Sequence, residues 1–113
     1  MVDAPVDTGM SEWLCIIRPP RPSFLSDASE HEQAVMRDHF AYLQRLLHEG
    51  KLVLAGPSLE PPFGIIIFVA DDEDDAWALV RGDPSVAAAV QTPELHPFRT
   101  SLLVGRDGTG GGV

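Results

Sequence analysis

Gly64-Ile65-Ile66-Ile67-Phe68-Val69-Ala70 contains no polar side chain. A strand with one face in water alternates apolar and polar positions, so a run of this composition reads as a strand buried on both faces. Before it lie Gly56-Pro57-Ser58-Leu59-Glu60-Pro61-Pro62-Phe63, dense in turn formers, and Lys51 to Ala55, a second short apolar run. The pattern predicts a hairpin, with strands over 51–55 and 64–70 and a loop over 56–63. After it, the acidic run Asp71 to Asp75 leads into Ala76-Trp77-Ala78-Leu79-Val80 and Gly82. Acids at the start and glycine at the end mark a helix. A short helical turn is expected at Pro84 to Val90, and Glu94 to Val104, with Leu95, Phe98, Leu102 and Leu103, reads as a last strand.

Upstream, Ser29 followed by Glu32 has capping-box spacing, and Glu30 and Glu32 suit the positive end of a helix dipole. Met36, Phe40, Leu43, Leu46 and Leu47 recur at steps of three and four, and Gly50 supplies a left-handed stop. This is an amphipathic helix of about five turns at 3.6 residues each. Trp13-Leu14-Cys15-Ile16-Ile17 is a first strand, closed by the prolines of Arg18-Pro19-Pro20-Arg21-Pro22. The order is β-α-β-β-α-β, an α+β ferredoxin-like plan. Such a sheet carries both helices on one face. The second face, apolar by the argument from Ile65 to Val69, is expected to pack on the same face of another copy in a homodimer.

The chain has 113 residues, of which 44% are hydrophobic, enough for one core. The domain is expected over 12–104, between disordered tails at 1–11 and at the glycine-rich 105–113. Eight basic residues against seventeen acidic ones give a net charge of −9, which repels phosphate backbones and anionic lipids. Nucleic acid and membrane are therefore not expected partners. The lone Cys15 cannot form an internal disulfide, and residues 1–11 have neither a basic start nor an apolar segment, so a cytoplasmic location is expected.

His39 falls on the helix stripe between Met36 and Leu43, where every other member is apolar, so its ring is expected to point inward. It reads either as a core-edge histidine bonded to a backbone carbonyl or as part of a functional site. Asp83-Pro84 followed by Ser-Val-Ala-Ala-Ala reads as an N-cap with proline at the first helical position. A capping carboxylate keeps an oxygen that can accept from an imidazole, so the two roles are compatible. His31, His48 and His96 read as solvated or structural, since no pair has metal-ligand spacing. The acids at 71–75 lack the pattern of a calcium loop. Trp13, Trp77 and Phe40 read as core, and no phosphate-cradling glycine pattern is present. Neither a metal nor a cofactor is expected.

Asp38-His39-Phe40-Ala41-Tyr42-Leu43, then Gly50-Lys51-Leu52-Val53-Leu54-Ala55-Gly56-Pro57, resembles the signature of the YciI-like, or YCII-related, family. Gly82-Asp83-Pro84-Ser85-Val86 and His96-Pro97-Phe98 resemble its later landmarks, in the same order. The resemblance implies a dimeric α+β barrel and an active site on a histidine and an aspartate, carried here by His39 and Asp83. Ser85 stands where many members have an aromatic residue, and Ala88-Ala89 where a glycine is common, so pocket shape and substrate are expected to differ. A family member acts as a dehydrochlorinase on a chlorinated hydroxyquinol. By that analogy the chain is expected to be a small-molecule enzyme, eliminating or isomerising a cyclic or aromatic acid with its His39-Asp83 pair as acid and base. The alternative is a non-catalytic ligand-binding or regulatory dimer.

Overall fold

A computed structural model describes residues 11–105. Apart from Ser11 and Gly105, the two expected tails lie outside the described residues. The chain folds as β1 (Ser11–Arg18), α1 (Phe24–Asp27), α2 (Glu30–His48), β2 (Leu52–Leu59), β3 (Pro62–Ala70), α3 (Glu73–Arg81), α4 (Pro84–Ala87) and β4 (Thr92–Phe98). The four strands form one antiparallel sheet in the order β2-β3-β1-β4. This is the ferredoxin-like arrangement, with the short helices α1 and α4 added to its plan.

Local sequence rules set the ends of α2. Ser29 accepts from the Glu32 backbone N–H while the Glu32 carboxylate accepts from the Ser29 N–H, and Gly50 stops the helix at φ 79°. Arg21 reaches the same Glu32 with two short contacts and also binds Asp27, tying the loop after β1 to the start of α2. The Arg21 hydrogen bonds and the Ser29 backbone hold the Glu32 carboxyl down at about 2.

Trp13, Cys15 and Ile17 of β1 alternate onto one sheet face, level with Phe68 and Ile66 of β3. There they pack against Tyr42, Leu43 and Leu46 of α2 and Ala76 and Val80 of α3. Both long helices therefore lie on this face. Leu14, Ile16, Ile65 and Val69 point to the other face and are half-buried in the single chain. A second cluster of Phe24, Val35 and Val90 pins α1 against α2.

Three expectations are corrected. The hairpin strands run through most of the predicted loop, and the turn closes tightly at Glu60-Pro61. The prolines are tolerated because β2 is an edge strand, where half of the N–H groups face away from any partner, and Pro62 only opens β3. The last strand stops at Phe98 rather than Val104, and Leu102 and Leu103 are exposed. On α2, Phe40 and Leu47 are 61% and 58% exposed, so neither belongs to the core. The face that meets the sheet is centred instead on Val35, His39, Tyr42, Leu43 and Leu46, because the tilt of the helix on the sheet decides which flank of a wide apolar stripe is covered. No helix among the described residues is long and apolar enough to cross a membrane.

Candidate functional site

His39 lies at the midpoint of α2 and points toward the sheet, as its place in the stripe predicts; its side chain is 11% exposed. Asp83 caps α4, accepting from the Ser85 backbone N–H at 2.8 Å, with Pro84 at the first helical position. The same carboxylate meets the imidazole: His39 Nδ1 is 2.7 Å from Oδ2 and 2.9 Å from Oδ1. Capping and pairing thus coexist in one side chain. An ionised carboxylate only accepts, so Nδ1 carries the proton and Nε2 is the ring nitrogen available to bind or release another. Nε2 has no hydrogen-bond partner among the described residues.

The approach of Asp83 to α2 depends on the glycine before it. A Cβ on Gly82 would stand 2.8 Å from the Tyr42 hydroxyl. That hydroxyl donates to the Leu79 carbonyl at 2.7 Å, stitching α2 to the end of α3 one turn beyond His39. Burial first, and then the Asp83 charge, push the Tyr42 phenol upward, keeping it the neutral donor this bond requires.

His39 lines a cavity of about 320 Å³ between α2 and the sheet, walled by Ile17, Met36, Leu43, Ile66 and the β2–β3 hairpin. Among the described residues its polar side chains are His39, Ser58 and Gln91, and neither Lys nor Arg lines it. A 150 Å³ apolar cavity takes up benzene, so this one has room for a substituted single ring.

Ser85 and Gln91 are neighbours of this pair that sequence reasoning did not assign. Ser85 Oγ lies 2.9 Å from Asp83 Oδ1, 2.9 Å from the Gln91 side-chain amide and 3.3 Å from His39 Nδ1. A serine two residues after a capping aspartate was a usable signal for the first; Gln91 carried none. The residue types of a serine-hydrolase triad are present, but not the arrangement. Such a triad places serine and carboxylate on opposite ring nitrogens, whereas here both sit at Nδ1 and Ser85 is sealed from solvent. Cys15 is no nucleophile either, because burial pushes its thiol up to about 11. His31, His48 and His96 stay exposed and apart from the cavity, and His96 pairs with Glu94.

The sheet order, the helices on one face and the paired histidine in a cavity wall define a ferredoxin-like α+β domain with a histidine-centred pocket. The chain belongs to the YCII-related domain family, which matches residues 12–99. Among solved structures it is similar to 5-chloro-2-hydroxyhydroquinone dehydrochlorinase from Burkholderia phenoliruptrix AC1100, in complex with 2,5-dihydroxybenzoquinone. The two share a TM-score of 0.58 and 21% identity, covering 77% of this chain and 93% of that one. At that identity the likeness establishes the fold. No curated protein matches the chain.

Proposed function

We propose that the protein is a small-molecule enzyme in which His39 Nε2 takes and returns a proton while Asp83 holds the ring. The observation that carries this reading is the division of the imidazole: Nδ1 is bound to a buried carboxylate, and Nε2 has no partner among the described residues, in a residue that lines an apolar cavity. An oriented imidazole beside an apolar pocket is a general acid and base suited to neutral pH. The reaction class is elimination or isomerisation of a cyclic or aromatic acid. In an elimination the base removes a proton next to the carbon bearing the leaving group, the C–H electron pair becomes the new double bond, and the leaving group departs as an anion. In an isomerisation the same proton returns at another carbon.

The dehydrochlorinase of similar fold, which acts on a hydroxylated ring and was captured with a quinone, supports that class by analogy. With no Lys or Arg among the described residues of the wall, the acid is a weak one, an enol or phenol, rather than a carboxylate needing a fixed countercharge. We further propose that a second copy covers the open sheet face around Leu14, Ile16 and Ile65, and that the protein works in the cytoplasm.

Screening hydroxylated rings and quinones for turnover, with thermal shift alongside, tests the function. Turnover should fall by roughly 10²- to 10⁴-fold in His39→Gln while ring binding persists. Binding without turnover across the panel would make the protein a ligand-binding module instead.

A further inference from the structure

A hydrogen-bond path leaves the far side of His39 and returns to the cavity at Gln91. Ser85 Oγ stands 2.9 Å from Asp83 Oδ1 and 2.9 Å from the amide oxygen of Gln91, a buried residue that lines the cavity. Both neighbours are acceptors in that arrangement, and a serine has one hydroxyl proton. The ionised carboxylate, already receiving the Ser85 backbone N–H, is the stronger acceptor and takes the proton. Ser85 Oγ then needs a donor from Gln91. The two ends of a glutamine amide are alike in shape, so proton accounting decides which faces which group. On that accounting the amide is reversed, so that the Gln91 NH₂ donates to Ser85 Oγ and the carbonyl oxygen turns to the other side. The Gln91 side chain has no further partner among the described residues, and the cavity is what it lines.

The backbone holds this residue in place. Ala89 adopts φ 58°, a left-handed conformation that residues with a Cβ seldom take. The turn it makes lets the N–H groups of Val90 and Gln91 both donate to the Ser85 carbonyl, at 2.9 and 3.0 Å. Asp83, Ser85 and Gln91 are thus locked to one another through both backbone and side chains.

We propose that Gln91 is a specificity residue whose carbonyl oxygen, aimed by Ser85, accepts a hydrogen bond from a hydroxyl on a single-ring ligand seated against His39. This inference deepens the proposed function and rests on reading the cavity as a ring-binding site. It predicts that the pocket selects a ring carrying a donor over the same ring with the donor capped. An ether oxygen facing a carbonyl oxygen leaves the buried acceptor unpaired, and an unpaired buried polar group is unfavourable.

Phenol and its methyl ether, anisole, are suitable probes, with dissociation constants measured by NMR titration. Wild-type protein should prefer phenol, and in Gln91→Met the ratio of the two constants should fall by about five-fold, the worth of one neutral hydrogen bond. Anisole affinity should be little changed. Ser85→Ala leaves the cavity wall intact but frees the amide, so it should lower the ratio partway, and it serves as the second test if Gln91→Met does not fold. A ratio unchanged in both variants would overturn the proposal. So would a wild-type preference for anisole that Gln91→Met abolishes, which would mean that the NH₂ faces the cavity. Because binding is read apart from turnover, these outcomes leave the acid/base role of His39 standing. Failure of both probes to bind wild-type protein would overturn the ring-binding reading and this inference together.

Discussion

Asp83 Oδ2 lies 2.7 Å from His39 Nδ1, while Oδ1 of the same carboxylate caps α4 through the Ser85 N–H at 2.8 Å. One side chain both starts a helix and orients a ring 44 residues away in the sequence. Substitution can separate the two roles. Asn keeps an oxygen for the cap but loses the charge that holds Nδ1–H, whereas Ala loses both. Asp83→Asn is therefore expected to melt close to wild type while losing roughly 10²-fold or more in turnover. Asp83→Ala is expected to lose the same activity and about 1 kcal/mol of stability as well. Melting curves and steady-state rates on all three proteins check this, and full activity in Asp83→Asn would reduce Asp83 to a cap.

Gly82 and Tyr42 meet so closely that a methyl group cannot enter without moving the phenol from the Leu79 carbonyl. Gly82→Ala is expected to destabilise by about 1–3 kcal/mol through overpacking. Tyr42→Phe, which removes the clashing oxygen together with its hydrogen bond, should lose about 1 kcal/mol by itself. The double variant should lose clearly less than the sum, and a denaturant-based double-mutant cycle measures that coupling. Strict additivity would show that the contact does not govern the position of the loop.

Glu32 carries a pH signature. Its carboxyl is held at about 2, against an ordinary 4.5, first by the Arg21 hydrogen bonds and then by the Ser29 backbone. A lowered folded-state value means that the ionised form is favoured by folding. The stabilisation is complete above about 4.5 and disappears as the pH falls through about 2. Glu32→Gln keeps a capping-box side chain but loses the ion pair. The gap in melting temperature between wild type and Glu32→Gln should be constant from pH 7 to 5 and should narrow from pH 4.5 to 2. A gap that holds its size down to pH 2 would contradict the assignment.

Leu14 sits on the uncovered sheet face, across from Ile67 on one side and His96 on the other. If a second copy covers this face, wild-type protein should sediment at micromolar concentration with twice the chain mass, burying at least the roughly 1,200–2,000 Å² of a stable interface. Leu14→Glu should sediment as a monomer, because an unpaired carboxylate at such an interface is strongly unfavourable. A monomeric wild type would remove the dimer from the description of this protein.

Much of the architecture was legible in short-range sequence pattern. Ser29 with Glu32, Gly50, and Asp83 with Pro84 act on backbone groups within a few residues of themselves, so their meaning does not depend on the rest of the fold. His39 could be read as inward because it interrupts an apolar stripe, and the all-apolar run Ile65 to Val69 announced a strand, of which Ile66 and Phe68 face the helices while Ile65 and Val69 are half-buried on the other face. Tertiary structure decided what local pattern leaves open. Phe40 and Leu47 satisfy the same helical period as Leu43 and Leu46, yet the tilt of α2 on the sheet leaves the first two in solvent. The prolines of the hairpin read as loop until β2 proved to be an edge strand. The contacts of Asp83 with His39 and of Ser85 with Gln91 have no sequence period at all. They exist because the β3-α3-α4 segment returns along α2, past a glycine small enough to admit Tyr42, and hydrogen bonds between groups so placed depend on distances that only the assembled fold sets.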